Sequence, residues 1–221
     1  INFADLRETA QFLHGLGVKN FCATKMSPPL DTRDVRMLLL TRAEIKQSLA
    51  TLKELEGELG INIDILECYP LCLIGDGKRF AKFFRRRCVA GVSACTVGSD
   101  GLVRPCSHAS RGYGNILTES LSTIWKRMED WRSGSYIPLV CKTCRHLPAC
   151  TGGCRIDAFQ ARGGMNELDP CARPENQNEI VYPERPPALS GVRYQFPPFN
   201  ARREDFGYVI YSQKACFPVN E

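Results

Sequence analysis

Residues 141–154 read CKTCRHLPACTGGC, and this stretch decides the fold because it holds four cysteines in the spacing C-x2-C-x5-C-x3-C. Eight of the twelve cysteines fall within residues 88–171. They are Cys88, Cys95, Cys106, Cys141, Cys144, Cys150, Cys154 and Cys171. Eight thiolates suffice for two centres of four ligands each, and thiolate sulfur selects zinc or an iron–sulfur cluster over hard cations.

The composition of the 221 residues is that of an ordinary soluble globular protein, with 43% hydrophobic and 24% charged residues. Lysine and arginine are scattered and the net charge is only +5, which argues against a nucleic-acid partner. No apolar run reaches the length of a membrane span. Because C-x2-C spacing occurs here without a secretory signal, we expect metal binding in the cytoplasm and not disulfides. A chain that begins with Ile1 also suggests that its natural N-terminus is missing.

The first region, residues 1–80, has the alternating helix and strand patterns of parallel βα units. Helices are predicted over 5–15 and 41–59, the second with a capping box formed by Thr41 and Glu44 and a stop at Gly60. Strands are predicted over 18–23 and 61–66. Two such units cannot close a sheet alone, so we expect the remainder of a larger α/β domain.

The second region, residues 81–171, carries the cysteines. A turn at residues 99–101 predicts a β-hairpin over 96–105. A helix is predicted over 119–131, with one buried face and with its two tryptophans in the core. The residues expected on that face are Leu121, Ile124, Trp125 and Met128.

The third region, residues 172–221, holds seven of the fourteen prolines, which predicts an extended tail over the surface. The aromatic stretch 206–211 predicts a strand at its end. That strand either completes a sheet of this chain or a dimer partner, or pairs with an extended peptide by strand addition.

Spacing alone leaves two interpretations of the cysteines open. A 4Fe–4S cluster needs thiolates that converge from several directions, and glycines where the backbone passes close to sulfide, as Gly152 and Gly153 allow. The same C-x2-C and C-x3-C spacings also suit a pair of zinc sites.

The cysteine pattern resembles the seven-cysteine signature of the SPASM domain, the C-terminal module of many radical S-adenosylmethionine (radical SAM) enzymes. It reads Cys88-x12-Gly101-x4-Cys106, then the quartet of residues 141–154, then Cys171. The intervening strings agree as well: DGLVRPC at 100–106, GNI at 114–116, LSTIW at 121–125 and GGCR at 152–155.

The resemblance implies two auxiliary 4Fe–4S clusters with interleaved ligands. Cys88, Cys95, Cys106 and Cys154 are the expected ligands of the first cluster, and Cys141, Cys144, Cys150 and Cys171 those of the second. Cys95 lies outside the signature. Without it, the first cluster would keep an open iron for substrate.

The same resemblance gives the fold class as α/β: the C-terminal part of a partial (β/α)6 barrel, followed by a small cysteine-rich α+β domain and the tail. The chain has no CxxxCxxC motif, to which Cys68-x3-Cys72 is the nearest approach, so we expect it to be inactive alone. S-adenosylmethionine and a third 4Fe–4S cluster are expected only with a missing N-terminal half. Cys68 and Cys72, like Cys22 and Cys216, are interpreted as structural thiols.

By the resemblance, the intact enzyme generates a 5′-deoxyadenosyl radical that abstracts hydrogen from substrate. The first auxiliary cluster then accepts an electron and the second relays it to an external flavodoxin- or ferredoxin-type carrier. Enzymes of this architecture mostly modify ribosomally made peptides, by carbon–carbon, thioether or decarboxylative chemistry. Ser107 stands where sulfatase-maturing relatives have an Asp base, which argues against that activity. His108 is the candidate catalytic proton acceptor.

Three further functions fit the same residues. The enzyme could oxidise a small molecule, such as a sugar or tetrapyrrole. The chain could be an electron-transfer module without chemistry of its own, or a zinc-stabilised interaction domain.

Overall fold

The computed structural model describes residues 2–27 and 39–182. Its helices are α1 Leu6–Gly15, α2 Arg42–Leu59, α3 Leu71–Ile74, α4 Leu121–Arg127, α5 Glu129–Arg132, α6 Leu139–Lys142, α7 Leu147–Cys150 and α8 Arg155–Arg162. Its strands are β1 Asn20–Ala23, β2 Asn62–Ile65, β3 Thr96–Val97, β4 Leu102–Arg104 and β5 Gly114–Asn115. Short 3-10 helices span Phe83–Arg85 and Pro174–Glu179.

The N-terminal part is a two-stranded parallel sheet covered by helices. Strand β1 pairs with β2 in the register Asn20↔Asn62 to Ala23↔Ile65, and α2 makes the crossover between them. Helix α2 buries Ile45, Leu49, Leu52 and Leu55 against the sheet and α1. The predicted helices and strands of this region are therefore confirmed.

The ends of α2 follow from two local signals. Thr41 accepts the backbone N–H of Glu44 on its side chain, and the Glu44 carboxylate accepts the N–H of Thr41 at 2.7 Å, which completes the capping box. Gly60 ends the helix at φ 62°, a left-handed conformation that glycine adopts without a Cβ clash.

The partial (β/α)6 barrel is not confirmed. The fold is mixed α/β, but the parallel sheet of residues 2–27 and 39–182 has two strands, and no closed barrel is seen in that part of the chain. The barrel therefore stays a prediction.

The cysteine-rich part contains the expected hairpin and one more strand. Strands β3 and β4 pair antiparallel with Val97 opposite Val103, and β5 adds to the other edge of β4. A second core forms beneath this sheet, from Val103, Tyr113, Ile124 and Met128 with the two tryptophans packed against it. The expected core position of Trp125 and Trp131 is confirmed.

The single helix predicted over 119–131 is two helices, α4 and α5, that meet at Met128. Helix α4 begins later than predicted, because Ser120 is the N-cap and its hydroxyl accepts the N–H of Thr123. Leu121 is 36% exposed, so its predicted burial is wrong. Ile124 and Met128 are fully buried, as expected.

The beginning of the proline-rich tail packs onto the fold. The 3-10 helix Pro174–Glu179 contacts α3, and Val181 hydrogen-bonds with the backbone of Gly75 and Gly77 at 3.0 and 2.7 Å. The predicted strand at 206–211 and Cys216 lie outside the described residues. Across residues 2–27 and 39–182, the helices are all too short or too polar to span a bilayer.

Candidate metal centres

A first group of thiols forms where the end of β2 meets the start of α8. The Cys68 thiol hydrogen-bonds with the thiols of both Cys88 and Cys154. Cys106, which follows β4, interacts electrostatically with Cys88 and Cys154. We call Cys68, Cys88, Cys106 and Cys154 the first thiol group. Three of its members were expected to lie together, whereas Cys68 was interpreted as a structural thiol.

The first thiol group is poised to hold negative charge. The hydrogen bond with Cys68 lowers the pKa of Cys88 to about 7, although burial opposes this, and the Arg155 cation acts in the same direction. Backbone N–H groups also donate to sulfur: those of Ala90 to Cys88 and of His108 to Cys106. Such donors stabilise thiolates, whether free or bound to a metal.

A second group of thiols lies between α3, α6 and α7. Cys72 interacts electrostatically with Cys150 and Cys141, and Cys141 with Cys150 and Cys144. These four cysteines line a cavity of about 30 Å³. We call Cys72, Cys141, Cys144 and Cys150 the second thiol group.

Backbone donors reach the second thiol group too. The N–H of Arg173 points at Cys72 Sγ at 3.1 Å, and the N–H of Leu71 at Cys150 Sγ at 3.4 Å. Burial raises the pKa of both Cys72 and Cys141 to about 11, so these thiols need a cation or a metal to ionise.

The turn between Cys150 and Cys154 joins the two groups through three consecutive left-handed residues. Thr151, Gly152 and Gly153 have φ of 55°, 81° and 85°. A Cβ on Gly153 would lie 2.5 Å from Asp169 Oδ2, so glycine is needed there for space as well as for conformation. The expected close approach at this glycine is real, and its neighbour in the structure is a carboxylate.

Asp169 is fully buried beside this turn. Its Oδ2 accepts the N–H of Cys154 and its Oδ1 accepts the N–H of Cys171, each at 2.7 Å. Burial raises the pKa of this carboxyl, while the two N–H groups and the nearby Lys25 act against the rise. Sequence reasoning missed Asp169, for which the available signal was its place two residues before a cysteine.

The two remaining predicted ligands have other surroundings. Cys95 is half-buried and packs against the second core, which includes Val103 and Met128. Cys171 is buried in the main core, and the electrostatic neighbours of its thiol are Asp169, Lys25, Asp157 and Arg42. Their ligand roles stay predictions.

A buried ion pair joins the N-terminal part to the cysteine-rich part. Lys25 follows β1, and its Nζ contacts Asp157 Oδ2 on α8, with side chains only 5% and 2% exposed. Burial opposes the Lys25 charge, but the Asp157 carboxylate raises the Lys25 pKa above its usual value. The two residues also line a cavity of about 360 Å³ with Arg42 and Cys171. No local sequence pattern points to this pair.

The histidines differ from expectation in their burial. The side chain of the candidate base His108 is exposed, and its backbone N–H is the group that faces Cys106. His146 lines the cavity of the second thiol group, with Nδ1 2.9 Å from the Tyr182 hydroxyl and Nε2 3.0 Å from the Gln177 carbonyl oxygen. Burial lowers the pKa of His146, so the ring is neutral near pH 7.

The donor atoms fit a soft metal centre. Within residues 2–27 and 39–182, no three Cys, His, Asp or Glu side chains already have the spacing of a metal site, so either group must close inward to bind one. Each group nevertheless offers four thiols and backbone N–H donors, the ligand set of an iron–sulfur cluster or of zinc.

Comparison with known proteins separates these two metals. Residues 88–145 match the SPASM family, described as an iron-sulfur cluster-binding domain. The chain is 26% identical over 156 residues to the PqqA peptide cyclase of Rhizobium meliloti (strain 1021), which covers 64% of the chain and 38% of that protein. It is 31% identical over 86 residues to the AdoMet-dependent heme synthase of Methanosarcina barkeri (strain Fusaro / DSM 804), which covers 38% of the chain and 24% of that protein.

The matches define an iron–sulfur-binding domain of the SPASM type within this chain. They confirm, at low identity, the resemblance of the chain to radical SAM/SPASM enzymes. The chain spans well under half the length of either relative. No solved structure matches it.

Proposed function

We propose that these residues are the C-terminal portion of a radical SAM/SPASM enzyme that oxidatively modifies a ribosomally made peptide. The observation that carries the proposal is the pair of four-thiol groups, which meet in and around the segment that matches the SPASM family. Bound there, two 4Fe–4S clusters would supply acceptors and relays for single electrons.

The chain's own residues would hold and tune these clusters. The expected ligands are Cys88, Cys106 and Cys154 at the first centre and Cys141, Cys144 and Cys150 at the second, with Cys95 and Cys171 as the fourth ligands that the resemblance implies. Backbone N–H groups that donate to sulfur would raise the reduction potentials, because they stabilise the more negative reduced state.

A peptide substrate is supported by the PqqA peptide cyclase, which matches the larger share of this chain. The proposal also includes S-adenosylmethionine, an N-terminal half that binds it, and an external electron carrier of the flavodoxin or ferredoxin type.

A small-molecule substrate is the second candidate, favoured by the AdoMet-dependent heme synthase at 31% identity. Binding assays with the precursor peptide and with a tetrapyrrole would separate the two. Saturable binding of the tetrapyrrole alone would overturn the peptide assignment.

The first experiment is a count of iron, zinc and acid-labile sulfide in the full-length protein purified without oxygen. Two four-iron clusters predict about eight irons with matching sulfide, beyond any catalytic cluster. About two zinc ions without sulfide, the load of two tetrahedral sites, would overturn the proposed function.

A further inference from the structure

Two cysteine pairs of identical spacing lie side by side in the fold. Cys68-x3-Cys72 connects β2 to α3, and Cys150-x3-Cys154 connects α7 to α8. Cys68 hydrogen-bonds with Cys154 at one end, and Cys72 is an electrostatic neighbour of Cys150 at the other. Between these ends, the N–H of Leu71 points at Cys150 Sγ at 3.4 Å. Each pair thus contributes one thiol to each thiol group.

We propose that residues 68–72 supply one metal ligand to each of the two centres. Cys68 completes the first centre with Cys88, Cys106 and Cys154, and Cys72 completes the second with Cys141, Cys144 and Cys150. This rests on the proposed function only in that both thiol groups bind a metal. Residues 68–72 lie outside the segment that matches the SPASM family, so that match assigns them no role.

The position of Cys68 favours ligation over a structural role. Its thiol contacts two of the three signature cysteines at the first centre, and together with Cys106 they form one group. A thiol is a weak hydrogen-bond donor, so four buried thiols stabilise one another little without a metal. Cys95, the alternative fourth ligand, packs instead against the second core.

The position of Cys72 is fixed by its own short helix. Leu71, Leu73 and Ile74 anchor α3 in the main core, while Cys72 is only partly buried and lines the cavity with the three other thiols of its group. Arg173 donates its backbone N–H to the Cys72 sulfur at 3.1 Å. A rigid element with a directed donor is the setting that a preorganised metal ligand requires. Cys171, the alternative, lines the other cavity, beside Lys25.

The test compares Cys68→Ser and Cys72→Ser with the matched controls Cys95→Ser and Cys171→Ser, in the full-length protein purified without oxygen. Iron, zinc and sulfide are counted, circular dichroism checks folding, and electron paramagnetic resonance of the reduced protein reports which cluster signal is lost. Each of the first two variants should lose about four irons, one cluster's worth. The two signals lost should differ, and the controls should keep full iron.

A second measurement needs no substitution, so a variant that misfolds leaves the proposal testable. The loaded wild-type protein is alkylated before and after its metal is removed by a chelator under native conditions, and each cysteine is read by peptide mass spectrometry. Cys68 and Cys72 should be protected while metal is bound and modified after its removal. Half-buried Cys95 should react in both states.

The outcomes separate the two proposals. Full iron in Cys68→Ser and Cys72→Ser, with loss in Cys95→Ser and Cys171→Ser, would overturn the ligand assignment and leave the proposed function standing. Zinc without sulfide in the wild type would overturn the proposed function. The ligand assignment would then be decided by whether the same two variants lose zinc.

Discussion

Asp169 Oδ2 accepts a hydrogen bond from the backbone N–H of Cys154 at 2.7 Å, across 15 residues of chain. The other carboxylate oxygen holds the N–H of Cys171, so one fully buried side chain fixes the backbone at two cysteines. The Cys154 bond sets the start of α8 and orients a member of the first thiol group. A buried carboxylate is tolerated here because both of its oxygens are satisfied.

We expect Asp169→Asn to destabilise the protein by about 1–3 kcal/mol, the cost of leaving a buried donor unsatisfied. An amide has a single acceptor oxygen, so its NH2 group must face one of the two backbone N–H groups. Urea unfolding measures the loss. The control is Asp5→Asn at an exposed position without a side-chain cap bond, and equal unfolding midpoints for the two variants would contradict the prediction.

Gly153→Ala should be more harmful than Gly163→Ala, although the two glycines have nearly the same φ, 85° and 83°. Each variant bears the strain of a left-handed alanine, about 1–2 kcal/mol. Only at residue 153 does the new Cβ meet another group, Asp169 Oδ2 at 2.5 Å, whereas nothing lies within 4 Å at residue 163. Unfolding free energies of both variants measure the difference. Equal losses would show that the close approach to Asp169 costs nothing.

Lys25→Met should destabilise the protein by about 3–5 kcal/mol, because it leaves the Asp157 carboxylate buried without its counter-ion. Asp157 Oδ1 already has no hydrogen-bond partner among the described residues, so no alternative partner is at hand. The double variant Lys25→Met/Asp157→Leu should recover most of the loss, since it removes both charges. Thermal and urea unfolding measure both variants.

The control for this ion pair is Arg7→Met, which breaks the exposed pairs of Arg7 with Glu54 and Glu58. Exposed pairs contribute about 0–1 kcal/mol. A loss for Lys25→Met as small as that for Arg7→Met would show that the buried pair contributes nothing to the junction between β1 and α8.

Tyr113→Phe should destabilise the cysteine-rich part more than Tyr136→Phe does. Tyr113 is buried, donates to Asp130 Oδ2 at 2.6 Å and accepts from Trp131 Nε1 at 3.0 Å. Tyr136 donates once, to the same carboxylate oxygen, at 2.7 Å. The expected losses are about 1–3 kcal/mol for Tyr113→Phe and about 0.5–1.5 kcal/mol for Tyr136→Phe. Unfolding followed by tryptophan fluorescence would contradict this order if Tyr136→Phe were the weaker variant.

The sequence predicts those elements whose signals are local. The capping box of Thr41 and Glu44, the stop at Gly60 and the repeating leucines define α2 almost to the residue. The hairpin of β3 and β4 follows from a turn and two short apolar pieces. The division between α4 and α5 was missed, because the apolar pattern runs through Met128 without a break.

The site is less accessible to sequence reasoning because its contacts are long-range. Cys68 meets Cys154 across 86 residues, and Lys25 meets Asp157 across 132. Spacing identifies thiols that share a turn, such as Cys141 and Cys144, but it does not show which distant segment comes beside them. Asp169 was missed for the same reason, since its partners are backbone N–H groups, whose positions depend on the tertiary fold.

The side-by-side arrangement of residues 68–72 and 150–154 also sets the order in which the protein is made. Translation delivers Cys68 and Cys88 long before Cys154, and Cys72 long before Cys150. Neither thiol group is complete in a nascent chain until residues 150–154 have left the ribosome. Complete metal loading therefore belongs to the finished domain, and its first cysteines emerge as free thiols that need a reducing environment or a chaperone until their partners arrive.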